Sequence, residues 1–369
     1  MLKHVLPGAG YLKRWAARNS DQQRAAEHDD ENEGDHGPVA RERKAFRMSD
    51  FQMKDTLGTG TFSRVRLARH IMSESFYAIK ILKKVEILRL KQLEHTKDEI
   101  SLLLKIEHPF IIGLHGYFHD ESRIFMVLDF VAGGEVLKLL RSGKSRDLGR
   151  FTDDDAKFYL SELFLAIKHL HKMNVVYRDI KPENLLINAQ GHVCLTDFGF
   201  AKVVVDRTFT ICGTPEYLAP EVITGLGYGK SGDWWAFGIL AYEMVVGYPP
   251  FYGDTPFGIY QRILDGEFLL DRSMNIKYQC ENIIKKLLIQ DRTKRLGSRK
   301  GSIEIEKHKY FHLVNWETTY AMQTKPPWQP ELKGPGDSSW FDNYPDSEDD
   351  FAVALEGQEQ QQFKIFDDL

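Results

Sequence analysis

The sequence has 369 residues, of which 42% are hydrophobic and 28% are charged, and its formal net charge at neutral pH is −4. These proportions are typical of a globular protein and exclude a disordered or fibrous chain. The slight negative charge gives no support to nucleic-acid binding, and no apolar run reaches the ~18 residues that a membrane span needs.

Three cysteines, Cys194, Cys212 and Cys280, lie far apart, and none belongs to a Cys-x-x-Cys pair. This spacing argues against both a disulfide framework and a zinc site. We therefore expect a reducing compartment, the cytoplasm, with the nucleus as a second location.

The first 50 residues are predicted to form a partly disordered N-terminal extension. Residues 1–20 hold four basic residues and no acidic one among apolar side chains. This composition favours a helix on the domain surface, with a short amphipathic anchor or an organelle-targeting segment as alternatives. Residues 19–44 are polar and of mixed charge, so they cannot fill a core and are expected to form a flexible linker.

The next segment, residues 51–130, is predicted to form a small, β-rich lobe. Residues Val65–Arg69 alternate between apolar and polar side chains, while Phe76–Leu82 and Ile124–Phe130 are rich in apolar ones. Both patterns are typical of strands. Between them, Val85–Ile106 is predicted to form one helix.

The segment that follows has the periodicity of helices. Thr152 precedes three acidic residues, as in a capping box, and apolar residues behind it recur every three or four positions. A second helix is predicted over Asp233–Val246, ending at Gly247. These signals indicate a mainly helical lobe over residues 131–311 and an extended tail over 312–369. The predicted fold class is therefore α+β.

A glycine-rich stretch, Gly58-Thr59-Gly60-Thr61-Phe62-Ser63, lies between two predicted strands. Backbone N–H groups of a turn without Cβ atoms can approach phosphate oxygens closely. A simple glycine hairpin explains the stretch equally well, because Ser63 replaces the third glycine of a G-x-G-x-x-G loop. In the next strand, Lys80 follows Ala78 and Ile79 and needs an anionic partner there. Glu99 is available in the predicted helix.

The most specific loop holds Asp179, Lys181 and Asn184. An acidic residue can accept a hydroxyl proton, a lysine can offset phosphoryl charge, and an amide oxygen can bind Mg²⁺. Asp197-Phe198-Gly199 follows with a second oxygen ligand suited to Mg²⁺, and Ala219-Pro220-Glu221 closes the segment. A polar surface loop does not account for this ordered set.

In this order the motifs resemble the eukaryotic protein kinases. Val131-Ala132-Gly133-Gly134-Glu135, Cys212-Gly213-Thr214-Pro215-Glu216 and Asp233-Trp234-Trp235 are similar to segments of the cAMP-dependent kinases of the AGC group. The resemblance runs from about Phe51 to Tyr344. It implies a bilobal kinase fold with a C-terminal tail, and a Ser/Thr protein kinase that transfers the γ-phosphate of Mg-ATP to hydroxyls preceded by basic residues.

The resemblance implies a role for each matching residue. Asp179 would accept the substrate hydroxyl proton, with Lys181 near the γ-phosphate. Lys80, held by Glu99, would contact the α- and β-phosphates. The implied Mg²⁺ ligands are Asn184 and Asp197. The residues implied to surround ATP are Leu57, Gly58, Thr59, Gly60, Thr61, Phe62, Ser63, Val65, Ala78, Lys80, Asp129, Val131, Glu135, Asn184, Leu186, Asp197 and Phe341.

Carboxylates of the large lobe are implied to select the substrate. Glu135, Glu183 and Glu243 match family positions that bind arginines before the acceptor residue, since arginine and carboxylate form paired, charge-assisted hydrogen bonds. A pocket for the residue after the acceptor is implied at Ile211, Pro215 and Leu218. The implied partners are protein substrates with Arg or Lys before Ser or Thr, and a cAMP-binding regulatory subunit.

Two phosphorylation sites are expected. Thr210 lies between the Asp-Phe-Gly and Ala-Pro-Glu motifs, where the family carries its activating phosphate. Its implied phosphate pocket consists of Arg178, Lys202 and His95. Ser302 follows Arg299 and Lys300 and is expected in an accessible loop, either as an autophosphorylation site or as part of a plain basic turn.

Some features depart from the family pattern, namely a basic insertion at residues 141–150 and a tail without Ser or Thr near Ala352. Two alternatives remain beside a cAMP-dependent kinase. Another AGC kinase, such as a cGMP-dependent one, is disfavoured because no cyclic-nucleotide-binding domain fits into 50 residues. A scaffold pseudokinase would need a missing catalytic residue, and none is missing.

Overall fold

The computed structural model describes residues 45–142, 149–345, 353–367 and 369. The predictions for residues 1–20, for the linker at 19–44 and for the tail near Ala352 therefore lie outside the described residues. The centre of the insertion at 141–150 also lies outside them.

The small lobe is built on a five-stranded antiparallel sheet in the order β1-β2-β3-β5-β4. Side chains of a strand alternate between the two faces of a sheet. Both faces of the central strands are covered, because Ala78 packs in one hydrophobic cluster and its neighbour Ile79 in another. The strands are β1 Phe51–Thr59, β2 Ser63–His70, β3 Phe76–Lys83, β4 Leu114–His119 and β5 Arg123–Asp129.

The prediction of one helix over Val85–Ile106 is wrong. The structure has two helices, α1 over Lys84–Arg89 and α2 over Leu93–Leu103. Between them Lys91 adopts the left-handed conformation, with φ of 54°. The N–H groups of Lys91 and the next residue bond back to carbonyls of α1, an arrangement that ends a helix. No Gly or Pro marks this break in the sequence.

The large lobe is mainly helical, as predicted. Thr152 caps its longest helix, since its hydroxyl accepts the N–H of Asp155 at 3.2 Å. The predicted Asp233–Val246 helix begins three residues earlier, at Lys230, and ends at Gly247 with φ of 100°. The helices are α3 Val136–Arg141, α4 Asp153–Lys172, α5 Pro220–Ile223, α6 Lys230–Val246, α7 Pro256–Asp265, α8 Tyr278–Leu287, α9 Ser302–Glu306 and α10 Trp316–Tyr320.

Two short, two-stranded antiparallel sheets of the large lobe hold the functional loops. Strand β6 pairs with β9, and β7 pairs with β8. The catalytic-loop motif lies between β6 and β7, and the Asp-Phe-Gly motif lies between β8 and β9. The two sheets therefore hold both motifs on the same side of the lobe, where the Thr196 hydroxyl donates to the carbonyl of Asn184 at 3.1 Å. Their bounds are β6 Val175–Val176, β7 Leu185–Ile187, β8 Val193–Leu195 and β9 Lys202–Val203.

The described end of the chain returns to the small lobe. Helix α11 spans Gly357–Gln362 and leads into a 3₁₀ turn at Phe363–Phe366. Both phenylalanines of the turn are buried, and the hydroxyl of Tyr117 on β4 donates to the carbonyl of Phe366 at 2.8 Å. Together the lobes and the tail confirm the predicted α+β, bilobal fold. Among the described residues, no helix combines the length and apolarity needed to cross a membrane.

Candidate active site

A half-buried lysine joins the two lobes. The Nζ atom of Lys80 on β3 lies 2.7 Å from Oε1 of Glu99 on α2 and 3.2 Å from Oδ1 of Asp197. Burial opposes the charge of Lys80, but the neighbouring Asp197 and Glu99 carboxylates outweigh it and raise the lysine pKa above its ordinary value. The ammonium group therefore stays charged and faces the space between the lobes.

The Asp179 carboxylate is held in place from three sides. It accepts a hydrogen bond from Nδ2 of Asn184 at 2.8 Å and forms an ion pair with Nζ of Lys181 at 2.9 Å. Thr214 donates to its other oxygen at 3.4 Å and accepts from Lys181 at 3.1 Å. No role was predicted for Thr214 itself, because a threonine 35 positions after Asp179 carries no local signal in the sequence.

The loop backbone before Asp179 is fixed by a second, fully buried carboxylate. Asp233 accepts the N–H groups of Tyr177 at 3.0 Å and of Arg178 at 2.9 Å. Arg178 has a φ of 72°, a conformation that costs free energy in a non-glycine residue and needs support from its surroundings. Asp233, on α6, provides that support. Asp233 was named in the sequence analysis only as part of the motif Asp233-Trp234-Trp235, and this support of the loop was not predicted.

Two oxygen donors suited to Mg²⁺ face the same cleft. The positive charge of Lys80 lowers the pKa of Asp197, so this carboxylate is ionised. Because the Nδ2 atom of Asn184 is bonded to Asp179, the amide oxygen of Asn184 remains an acceptor. One carboxylate and one amide are the partial ligand set with which Mg²⁺ binds when phosphate oxygens complete its shell. The residues fit this metal.

The predicted nucleotide residues lie around the cleft between the lobes. At the glycine loop, the N–H of Gly60 bonds to the carbonyl of Ser63 at 2.8 Å, closing a tight turn between β1 and β2. Leu57, Ala78 and Val131 are buried. The predicted residues that are half-buried against the same hydrophobic core are Phe62, Val65, Leu186 and Phe341. The exposed tip of the loop consists of Thr59, Gly60 and Thr61.

The carboxylate of Asp129 is already engaged. It accepts the N–H of Gly113 at 2.8 Å and contacts Nε2 of His115 at 2.6 Å. Any contact between Asp129 and a nucleotide therefore involves its backbone.

Three predicted substrate carboxylates lie close enough to influence one another. Burial raises the pKa of Glu243 to about 7, and the charge of Glu183 adds to the increase. Burial also raises the pKa of Glu135, again with a contribution from Glu183. The Tyr217 hydroxyl donates to Glu243. Such a cluster of acids is stabilised by a cationic ligand.

The predicted pocket for the residue after the acceptor is only partly assembled. Leu218 is buried, Pro215 is half-buried and Ile211 is 61% exposed. Thus one wall is fixed, while the side chain of Ile211 is free to cover an incoming residue.

Thr210 is exposed, as a phosphorylation site must be. Arg178, one of its predicted phosphate ligands, donates through Nε to the carbonyl of Phe200 at 2.5 Å. Its Nη1 atom is buried and has no hydrogen-bond partner among the described residues. The other two predicted ligands, Lys202 and His95, are exposed. The Nη1 group of Arg178, next to Asp179 in the sequence, is thus a hydrogen-bond donor that a phosphate could use.

The expectation of a loop position for Ser302 is wrong. Ser302 is the first residue of α9 and is half-buried. The reason is that Glu304 accepts the N–H groups of Gly297 at 2.7 Å and Lys300 at 2.8 Å, which folds the preceding turn onto the helix. Phosphorylation at Ser302 stays a prediction.

The glutamate of the Ala-Pro-Glu motif, Glu221, forms a buried ion pair that was not predicted. The two terminal guanidinium nitrogens of Arg295 donate to the Glu221 carboxylate at 2.6 and 2.8 Å, and the side chains are 0% and 3% exposed. The guanidinium also lies 4.9 Å from the ring centre of Trp235. Glu221 was predicted only as the end of a motif. A single arginine 74 positions later gives no local signal in the sequence.

Comparison with known proteins extends these observations. The sequence matches the family described as protein kinase domain over residues 51–311. It is 46% identical to cAMP-dependent protein kinase catalytic subunit 3 of Drosophila melanogaster over 324 residues, which are 88% of this chain and 54% of the fly protein. It is 42% identical to cAMP-dependent protein kinase catalytic subunit PRKX of Homo sapiens over 360 residues, which are 96% of this chain and 99% of the human protein. The chain therefore spans about half of one relative and nearly all of another.

Proposed function

The chain belongs to the protein kinase domain family, and from this premise we propose that it is a Ser/Thr kinase of the cAMP-dependent type. It would transfer the γ-phosphate of Mg-ATP to Ser or Thr preceded by basic residues. The observation that carries the proposal is that Lys80 and Glu99 of the small lobe meet Asp197 of the large lobe, where Asp179 is paired with Lys181. A scaffold pseudokinase is disfavoured because each of these groups is present and paired.

Some of these residues would position the reacting groups, and others would neutralise the negative charge of the phosphates. Lys80 would hold the α- and β-phosphates, and its pairing with Glu99 fixes the ammonium in place. Asp179, oriented by Asn184 and Thr214, would receive the proton of the substrate hydroxyl. Lys181 would offset charge on the transferred phosphoryl group. Asn184 and Asp197 would hold Mg²⁺, which supplies further neutralisation of phosphate charge when bound.

Substrate choice would follow from the cluster of Glu135, Glu183 and Glu243. An arginine placed among mutually repelling carboxylates relieves that repulsion and gains charge-assisted hydrogen bonds. Serine or threonine residues that follow such arginines would then be presented to Asp179. This supports a preference for Arg-Arg-x-Ser sequences.

Replacing Glu183 with alanine should lower kcat/KM for an Arg-Arg-x-Ser peptide by roughly 10–100-fold, about 1.4–2.8 kcal/mol, because the arginine loses a carboxylate partner. Steady-state kinetics with this peptide and with a peptide lacking the arginines would measure the effect. The second peptide should be affected far less. Glu94→Ala, at an exposed position outside the cleft, is the matched control. Equal loss on both peptides would contradict the proposed recognition.

Removing the hydroxyl of Thr210 should lower kcat/KM by more than about tenfold, at least ~1.4 kcal/mol of transition-state stabilisation. A phosphate there brings about −1.5 to −2 charges. It would engage the unused Nη1 donor of Arg178 and order the catalytic loop. The measurement is peptide phosphorylation by Thr210→Ala and by phosphatase-treated wild type, which should lose activity alike. Full activity in enzyme shown by mass spectrometry to lack this phosphate would contradict the proposal.

We propose a cAMP-binding regulatory protein as partner, and the cytoplasm, with the nucleus as a second compartment, as location. The names of the relatives support the first, and the wide spacing of the three cysteines, without a Cys-x-x-Cys pair, supports a reducing compartment. The expected result is that immobilised kinase retains a protein from native lysate and that added cAMP releases it. Release by cGMP in preference to cAMP would favour the other AGC type, and retention unaffected by either nucleotide would contradict a cyclic-nucleotide-regulated partner.

A further inference from the structure

A basic groove lies on the large lobe, formed by the end of α4, the start of α6, the segment after β9 and residues 292–303. Its volume is about 840 Å³, within the range of ligand-binding clefts. Among the residues that the structure describes, Asp206 is the one acidic residue that lines it. The lining cations are Lys168, Lys172, Arg207, Lys230, Arg292, Arg299 and Lys300. In a chain whose net charge is −4, this is a strong local concentration of positive charge.

Several of these cations are oriented by neutral acceptors. Lys230 donates to the amide oxygen of Asn174 at 2.8 Å, and Arg292 donates to the carbonyl of Gly227 at 2.7 Å. Such bonds fix the side chains without cancelling their charge. Burial lowers the pKa of Lys230, as expected for an ammonium group that has lost water without gaining a carboxylate.

Ion pairs within the protein neutralise little of the positive charge that lines the groove. Lys168 pairs with Glu306 at 2.9 Å. Arg207 approaches its neighbour Asp206 only to 3.8 Å, and both side chains are largely exposed, so this pair contributes little. The remaining positive potential attracts anionic ligands, and concave surroundings strengthen such a field.

The groove also has apolar and polar features that suit a peptide. Val205 is 89% exposed and Ile303 is 48% exposed at its rim. Trp234 and Ser298 line it, and the indole N–H and the hydroxyl are buried without hydrogen-bond partners among the described residues. Both groups are enclosed beneath the surface of the groove, so the contacts that suit a peptide are those of the exposed Val205 and Ile303 and of the cations.

We propose that this groove binds an acidic protein segment that also carries aliphatic side chains. The cations of the groove would pair with the acidic side chains of the segment, and Val205 and Ile303 would contact its aliphatic side chains. Single-stranded nucleic acid is disfavoured because it binds through exposed aromatic side chains on which bases stack, and Trp234 is fully buried. The groove is independent of the proposed catalytic groups, so the interaction needs neither ATP nor activity.

The test is fluorescence anisotropy with the full chain and a labelled peptide of about ten residues, rich in Asp and Glu with two valines. We expect binding at low salt that weakens toward about 0.1 M salt, since screening acts over about 10 Å there. The double variant Lys172→Glu and Lys300→Glu should bind at least about tenfold more weakly. Both positions are exposed, and unchanged thermal unfolding would verify that the variant folds.

Two controls distinguish binding in the groove from nonspecific attraction between opposite charges. Lys105→Glu with Lys309→Glu reverses two exposed charges outside the groove and should leave peptide binding within about twofold. A peptide with Asn and Gln in place of the acids should not bind. Equal weakening by both double variants, or no binding of the acidic peptide at low salt, would overturn the proposal. Tighter binding of an oligothymidylate of the same charge, or of phosphatidylserine vesicles, would also overturn it and assign the groove to another ligand class.

Discussion

Replacing Asp179 with asparagine should leave ATP binding intact and lower the rate of phosphoryl transfer by ~10²–10⁴-fold, the usual contribution of a positioned general base. Asparagine keeps the shape of the side chain but removes the negative charge that pairs with Lys181 at 2.9 Å. It also has only one oxygen, whereas Asp179 accepts bonds from Asn184 and Thr214 on different oxygens. The variant therefore loses both its proton acceptor and part of its orientation.

Single-turnover transfer to a peptide and equilibrium binding of a fluorescent ATP analogue would measure the two quantities separately. Asp254→Asn changes an exposed carboxylate and should retain wild-type rates. A wild-type rate in Asp179→Asn would remove this residue from its proposed role. Loss of nucleotide binding together with turnover would indicate a folding defect.

Replacing Arg295 with methionine should lower the free energy of unfolding by about 3–5 kcal/mol, because the Glu221 carboxylate would stay buried without its cation. The guanidinium is completely inaccessible to solvent, so water cannot compensate for its loss. Methionine fills similar volume, which separates the charge effect from a cavity effect. Urea unfolding followed by fluorescence and circular dichroism would measure the change.

Two further variants make this prediction specific. The double variant Glu221→Gln and Arg295→Met removes both charges and should recover part of the lost stability. Lys285→Met breaks an exposed pair with Glu281 on α8, whose side chains are 57% and 35% exposed, and should cost less than about 1 kcal/mol. A cost of that small size for Arg295→Met would contradict the prediction.

Much of the architecture could be predicted because the signals are local. Apolar runs mark β3 and β5, which are covered on both faces, and Thr152 and Gly247 mark helix ends through their backbone chemistry. The catalytic loop has a compact pattern, so its residues were named together. The break at Lys91 escaped prediction because a lysine in the left-handed conformation is stabilised by hydrogen bonds that form only after α1 has folded.

Residues that act across long sequence separations were also missed. Thr214 reaches the catalytic loop, and Arg295 reaches the Ala-Pro-Glu motif, only when the lobe is assembled. Neither residue has neighbours in the sequence that indicate its partner. The position of Ser302 was misjudged for a similar reason, since the hydrogen bonds of Glu304 decide where α9 begins.

The last residues of the chain belong to the core of a lobe made from its first strands. Phe363 and Phe366 are buried at 0% and 2% exposure, and Tyr117 bonds to carbonyls of Phe366 and Leu369. During translation β1 to β5 leave the ribosome more than 200 residues earlier than these phenylalanines. Until Phe363 and Phe366 have been synthesised, the nascent small lobe therefore exposes the apolar surface on which they pack, next to Lys84 and β4. Such a surface is prone to aggregation, so the newly made chain should depend on chaperones until this segment has docked.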